Sequence, residues 1–128
     1  MKKTFANYIE VAHVNHVFSI LGNSAILSPG KTFDKFPTKN EVELVESLSD
    51  KDGVITYNQS FVANVDKLTI AQLQKYINGM PVIVRLFVNE KEDIILVGSI
   101  DIPCIVTILP KLDGDQLQFT RESISKVL

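Results

Sequence analysis

From Val42 to Val65 the chain keeps a period of two across a central turn signal, and few folds accommodate that pattern. Val42, Leu44, Glu46 and Leu48 alternate with polar or smaller residues. Ser49-Asp50-Lys51-Asp52-Gly53 comes next, and its Asp-Gly step is the commonest tight-hairpin chemistry. Beyond it, Ile55, Tyr57, Phe61, Ala63 and Val65 share one face, while Thr56, Asn58, Ser60 and Asn64 share the other. Successive strand side chains point to opposite faces, so this segment predicts a long antiparallel hairpin with one wet face.

The flanking segments extend the β reading. Residues 7–21 fit neither helical nor strand period cleanly, though Val11, Val14, Val17 and Ile20 favour extended structure. Ser24–Leu27 is a short apolar run, closed by Ser28-Pro29-Gly30-Lys31 with proline at the second turn position. Thr32–Asn40, with Phe33, Phe36 and Pro37 among polar residues, reads as an irregular loop pinned by its aromatics. Val82–Val88, Ile94–Val97 and Ile102–Leu109 are apolar on both faces and are expected at the centre of the domain. Asn89–Asp93 reads as a polar hairpin loop and Asp101-Ile102-Pro103 as a turn or bulge. Asp113-Gly114 leads to a strand at Gln116–Phe119, and Arg121–Leu128 is a tail of open conformation, a strand, a helical turn or an arm.

One helix interrupts the strands, at about residues 70–78. Thr69 and Gln72 have capping-box spacing, and Ile70, Leu73, Tyr76 and Ile77 form an apolar stripe. Asn78-Gly79 and Pro81 end it. The stripe predicts a cover over one sheet face. The whole is a mainly β chain, an antiparallel β-sandwich or small open barrel with one flanking helix, and an α+β layered sheet is the rival. A length of 128 residues and the lack of a linker make residues 1–128 a single domain.

No motif for chemistry stands out. A net charge of −2 without a basic run excludes general nucleic-acid binding. Cys104 is the only cysteine, so neither a disulfide within the chain nor a cysteine zinc site is available, and its apolar neighbours predict a core residue. No apolar stretch approaches the roughly 20 residues of a membrane span. Met1-Lys2-Lys3 resembles the start of a secretory signal, but Asn7, Glu10, His13, Asn15 and His16 interrupt the apolar stretch that such a signal requires. The protein is expected to remain in the compartment where it is made.

His13 and His16 lack a second ligand cluster, so a structural or solvated role is expected. Glu41, Glu43, Glu46, Asp50 and Asp52 read as a solvated edge rather than a facing acid pair. The glycines form no phosphate loop, and no serine sits in a nucleophile elbow. Catalytic, cofactor and metal residues are therefore expected to be none, and the chain is read as a non-enzyme. Arg85, inside an apolar strand, needs a partner: Glu92, Asp93 or Asp101, the sheet edge, or a neighbouring subunit. Tyr57, Asn58, Ser60, Asn64 and Arg85 are the candidate interface residues.

The order Gly53-Val54-Ile55-Thr56-Tyr57-Asn58-Gln59-Ser60-Phe61, helix, Pro81–Val88, Leu96-Val97-Gly98-Ser99-Ile100-Asp101-Ile102-Pro103 and Leu117-Gln118-Phe119-Thr120 resembles a known group. It looks like short structural proteins of the tail or head–tail connector type from phages and prophages of gut Bacteroidota, over roughly Glu43 to Thr120. The resemblance is one of pattern and carries over no functional residue. It implies a virion structural or assembly subunit whose partners are copies of itself and other virion proteins, with no membrane and no specific nucleic acid. The 42–65 hairpin is then the candidate assembly element, and the location is the virion. The alternative is a small-ligand or protein-binding β-domain of the bacterial cytoplasm, with a pocket at one end of the sandwich.

Overall fold

Where β-branched and aromatic residues repeat at a period of two, the chain is extended, and strand succeeds strand along almost its entire length. The computed structural model describes residues 2–77, 79–88, 94–124 and 127. Its elements are β1 (Lys2–His13), a 3-10 turn (Val14–His16), β2 (Val17–Leu21), β3 (Ser24–Leu27), β4 (Asp34–Lys51), β5 (Val54–Val65), α1 (Ile70–Lys75), β6 (Met80–Phe87), β7 (Ile94–Val97), β8 (Cys104–Lys111) and β9 (Gly114–Ser123). The main sheet is antiparallel with the order β1-β4-β5-β9-β8-β6-β7, and a further β1–β6 pairing closes the order on itself. The result is a small barrel with β7 as a spur on β6. The fold is mainly β with one short helix, as the sequence predicts, and the layered α+β arrangement is not formed.

The alternation decides what goes inside. Val42 and Leu44 of β4, Phe61, Ala63 and Val65 of β5, and Leu117 and Phe119 of β9 are buried in one continuous core with Ile9, Val11, Val84, Leu86 and Val106. Phe61 and Phe119, directly opposite in the β5–β9 ladder, stack with centroids 4.6 Å apart. Burying each large apolar side chain contributes roughly 1.5–3 kcal/mol, so this interior dominates stability. On the outside of β6 and β7, Ile83 and Leu96 form a second cluster with Val17, and the β2–β3 hairpin covers it.

Several expectations are corrected. Asp34–Asn40 belongs to β4 rather than to a loop. The strand tolerates Pro37 because the β1–β4 ladder is irregular there, stepping from Ala6–Val42 to Tyr8–Pro37. Residues 7–21, where β-branched side chains favour extended structure, are strand on both sides of a single 3-10 turn, in line with that preference. Of the three strands placed centrally, β6 is central, with Val82, Ile83, Val84 and Leu86 all buried. β7 lies at the end of the sheet order, and β8 exposes Ile105. The Asn89–Asp93 loop lies outside the described residues.

The helix is shorter than expected. The Thr69–Gln72 capping box forms as read, but Tyr76 already leaves helical geometry and is 1% exposed. Burial of its ring, and the bond from the Gly79 amide to the Val106 carbonyl, pull the chain into β6. Asn78 lies outside the described residues. Nor does the helix cover a sheet face. Tyr76 and Leu68 join the core, while Ile70 is 75% exposed, Leu73 40% and Ile77 59%.

Candidate assembly surface

The hairpin turn is built from backbone requirements. Lys51 pairs with Val54, leaving Asp52 and Gly53 as a two-residue loop with φ of 53° and 81°. Positive φ at both central residues is the type I′ geometry, whose twist matches that of the strands it joins. The turn chemistry read from Asp-Gly is the one observed.

The hairpin outruns its neighbours. β1 stops pairing with β4 at Lys2–Glu46, and β9 stops pairing with β5 at Ser123–Tyr57. Ser47–Lys51 and Val54–Thr56 are therefore paired only with each other or with Tyr57 and Asn58. At about 3.3 Å per residue this free ribbon projects roughly 15 Å past the barrel rim. Leu48 pairs with Tyr57 and Asp50 with Ile55, so these four share the face that continues the barrel interior. Beyond the rim nothing in the described chain covers it. Leu48 is 59% exposed, Ile55 49%, and Val54 on the opposite face 58%.

A polar layer separates this apolar ribbon from the core. Glu46 and Gln59, 4% and 1% exposed, lie on the inward face of the rim. Gln59 Nε2 donates to Glu46 Oε2 at 2.8 Å, and the Val127 amide donates to the same oxygen at 2.6 Å. Arg121 Nη1 donates to Gln59 Oε1 at 3.2 Å and Nε to the Ile102 carbonyl at 2.7 Å. Burial lowers the Arg121 pKa, and the Glu46 charge acts in the opposite sense. The solvated edge expected of the acidic run does not include Glu46. Its place among Val42, Leu44 and Leu48 in the alternation is the sequence signal for its burial.

Of the expected interface residues, Tyr57 is half-buried on the ribbon's inner face. Asn58, Ser60 and Asn64 lie on the outer face, in line with the alternation, along two grooves of about 530 and 490 Å³. Gln116 Nε2 donates to Asn64 Oδ1 at 3.1 Å, and Gln118 Nε2 to Gln116 Oε1 at 3.0 Å, an amide chain that ties β5 to β9 beside the larger groove, which Asn64 and Gln118 line. Arg85 does not join them, because β6 and β5 are not neighbours in the ring. It pairs within the chain, and among the described residues its partner is Glu10 rather than Asp101: Glu10 lies opposite it in the β1–β6 ladder, with Nη2–Oε1 at 2.5 Å. The guanidinium also stacks on Phe33, 3.8 Å from the ring centroid. Arg85 is thus engaged within its own chain. Of the expected partners, Glu92 and Asp93 lie outside the described residues.

At the opposite end the fold gathers polar groups that the sequence leaves apart. His13 Nε2 lies 2.5 Å from the Lys75 carbonyl, and its ring stacks on Tyr76 and neighbours His16. The Tyr76 hydroxyl donates to Asp34, which also pairs with Lys75 at 2.7 Å. Burial, then the Asp34 hydrogen bond and charge, push the Tyr76 pKa up. Burial and repulsion from Lys31, His13 and Lys75 hold His16 below its usual value. The cluster ties β1, β4 and α1 together by satisfied pairs. Among the described residues no group of three or more His, Cys, Asp or Glu could hold a metal ion, and no helix is long and apolar enough to cross a membrane.

Comparison with protein-family models, curated proteins and solved structures finds no match to this chain.

Proposed function

We propose that the chain is an assembly subunit that acts by protein–protein contacts, of the virion tail or head–tail connector type. The observation that carries the assembly reading is the 42–65 hairpin, whose tip leaves the barrel with Leu48 and Val54 more than half exposed and Ile55 49% exposed. Isolated two-stranded hairpins are marginal in water, and exposed apolar patches on projecting elements mark interaction sites. The virion assignment is the finer part and rests on the pattern-level resemblance over roughly Glu43 to Thr120. A contact role for Asn58, Ser60 and Asn64 is supported by their placement on the outer face of β5, the strand that continues into the ribbon.

Two measurements test this. Size-exclusion chromatography with light scattering is expected to show an oligomer that dissociates when Leu48 and Ile55 are replaced by aspartate. Mass spectrometry of purified particles is expected to find the chain among the structural proteins. A strict monomer that is also absent from particles overturns the proposal. The ligand-module alternative predicts a pocket at one end of the barrel. Tyr76 and Leu68 pack into the core at one end, and the Glu46–Gln59–Arg121 layer lies at the other, which favours the assembly reading.

A further inference from the structure

We propose that the β2–β3 hairpin is an acid-sensitive flap, which protonation of His16 releases from the barrel to uncover an apolar face on β6 and β7. The inference is independent of the assembly reading.

The hairpin is held by one face only. β2 and β3 form a sheet of their own, and among the described residues neither pairs with a strand of the barrel. A lone two-stranded hairpin is marginal in water, so contact with the barrel has to hold it closed. Val17, Ile20, Ala25 and Leu27 supply that contact, packed with Ile83 and Leu96. Its other large apolar side chains, Phe18, Leu21 and Ile26, are half or more exposed and add nothing to closure. Segments with few buried contacts are the ones that open locally ahead of the whole fold.

His16 stands where the two tethers of the flap meet. The 3-10 turn Val14–His16 leads into β2, and the chain returns from β3 through Ser28, whose amide donates to the His16 carbonyl at 2.9 Å. The Lys31 amide in turn donates to the Ser28 carbonyl at 3.0 Å, which keeps Lys31 close. On the other side, the His13 and His16 ring centroids are 5.3 Å apart, and His13 Nε2 lies 2.5 Å from the Lys75 carbonyl of α1. A proton on His16 therefore enters a neighbourhood of two lysines and a second imidazole. The carboxylate that opposes this is Asp34 of β4, which is already shared between Lys75 Nζ at 2.7 Å and the Tyr76 hydroxyl. β2 and β3 hold no charged residue, and the only one on β6, Arg85, pairs with Glu10. Burial first, then Lys31, His13 and Lys75, hold the His16 pKa below 6.5 in the closed form. Opening carries His16 away from them, so the open form binds the proton more tightly. Opening is therefore favoured as pH falls below 6.5, and the flap stays shut above it.

Hydrogen exchange of the intact chain, read as protection factors, tests this with the β5–β9 ladder as the reference for global opening. At pH 7.5 the paired amides of Val17–Leu27 are expected to be at least about tenfold less protected than that ladder, with a shallower dependence on urea. Between pH 7.5 and pH 5.5 their protection is expected to fall several-fold, up to about tenfold for a single proton. In His16→Asn that fall is expected to disappear. Hairpin amides as protected as β5–β9, with the same urea slope, overturn the flap. A fall of the same size in His16→Asn, or no fall in the native chain, overturns release by His16. Should His16→Asn lose the β5–β9 protection at pH 7.5, His16→Gln makes the same comparison.

Discussion

Glu46 and Glu43 belong to the same acidic run yet have different surroundings, and single substitutions should separate them. Glu46 is 4% exposed and accepts from Gln59 and Val127, whereas Glu43 pairs with Lys3 at 3.0 Å in the open. Glu46→Ala strands a buried amide and weakens the support of Arg121, and is expected to cost about 3 kcal/mol. Glu43→Ala is expected to cost under about 1 kcal/mol. Urea denaturation midpoints at constant slope check both. The titrating side chains set a stability window. The His16 pKa is lowered from 6.5 on folding, so the unfolded chain binds more protons and stability falls as pH drops below 6.5. Burial raises the Cys104 pKa from 9.0 to about 12, so stability is intact below 9.0 and declines above it. Tyr76, also raised, adds to that decline above 10.0. Denaturation across pH should show the plateau between, with the acid limb flattened in His16→Asn and the alkaline limb in Cys104→Ala. The Cys104 thiol is expected to be inert to a thiol reagent in the native protein and to react stoichiometrically once unfolded.

At the scale of elements, two glycines hold hairpins for opposite reasons. A Cβ at Gly53 meets nothing within 4 Å, but φ of +81° strains any L side chain. A Cβ at Gly114 would sit 2.4 Å from the Val65 carbonyl oxygen, so β5 and β9 would have to separate. Gly53→Ala is expected to cost about 1 kcal/mol, and Gly114→Ala about 2–3 kcal/mol, as for overpacking. Thermal melts are expected to rank them in that order, and the reverse order would contradict the account of β9. The Asp-Gly turn, the Ser28-Pro29-Gly30-Lys31 turn, the Thr69 cap and the alternation of β5 are legible in the sequence because each is a local rule. The 34–40 segment reads as a loop because β1 supplies its pairing from more than twenty residues away, and a loop and a bulged strand share one composition.

For the molecule as a whole, an exposed ribbon at one pole and an exposed helix at the other is an arrangement with polarity. Removing the tip by joining Ser47 to Asn58 with a short turn is expected to leave the barrel folded, since Ser47–Lys51 and Val54–Thr56 make no ladder with β1 or β9. The trimmed chain should keep a cooperative melt and lose oligomerisation by light scattering. Loss of the barrel instead would show that the ribbon is structural.

Period-two alternation and turn chemistry by themselves specified a mainly β chain with one capped helix. Those features depend on neighbours along the chain, which sequence displays directly. Only the tertiary structure decided that Glu46 is interior and Leu48 is not, that Glu10 answers Arg85, and that His13 meets Tyr76. Each depends on where a partner strand ends or which strand lies across the ladder, and register between distant segments is set by the packing of the whole core.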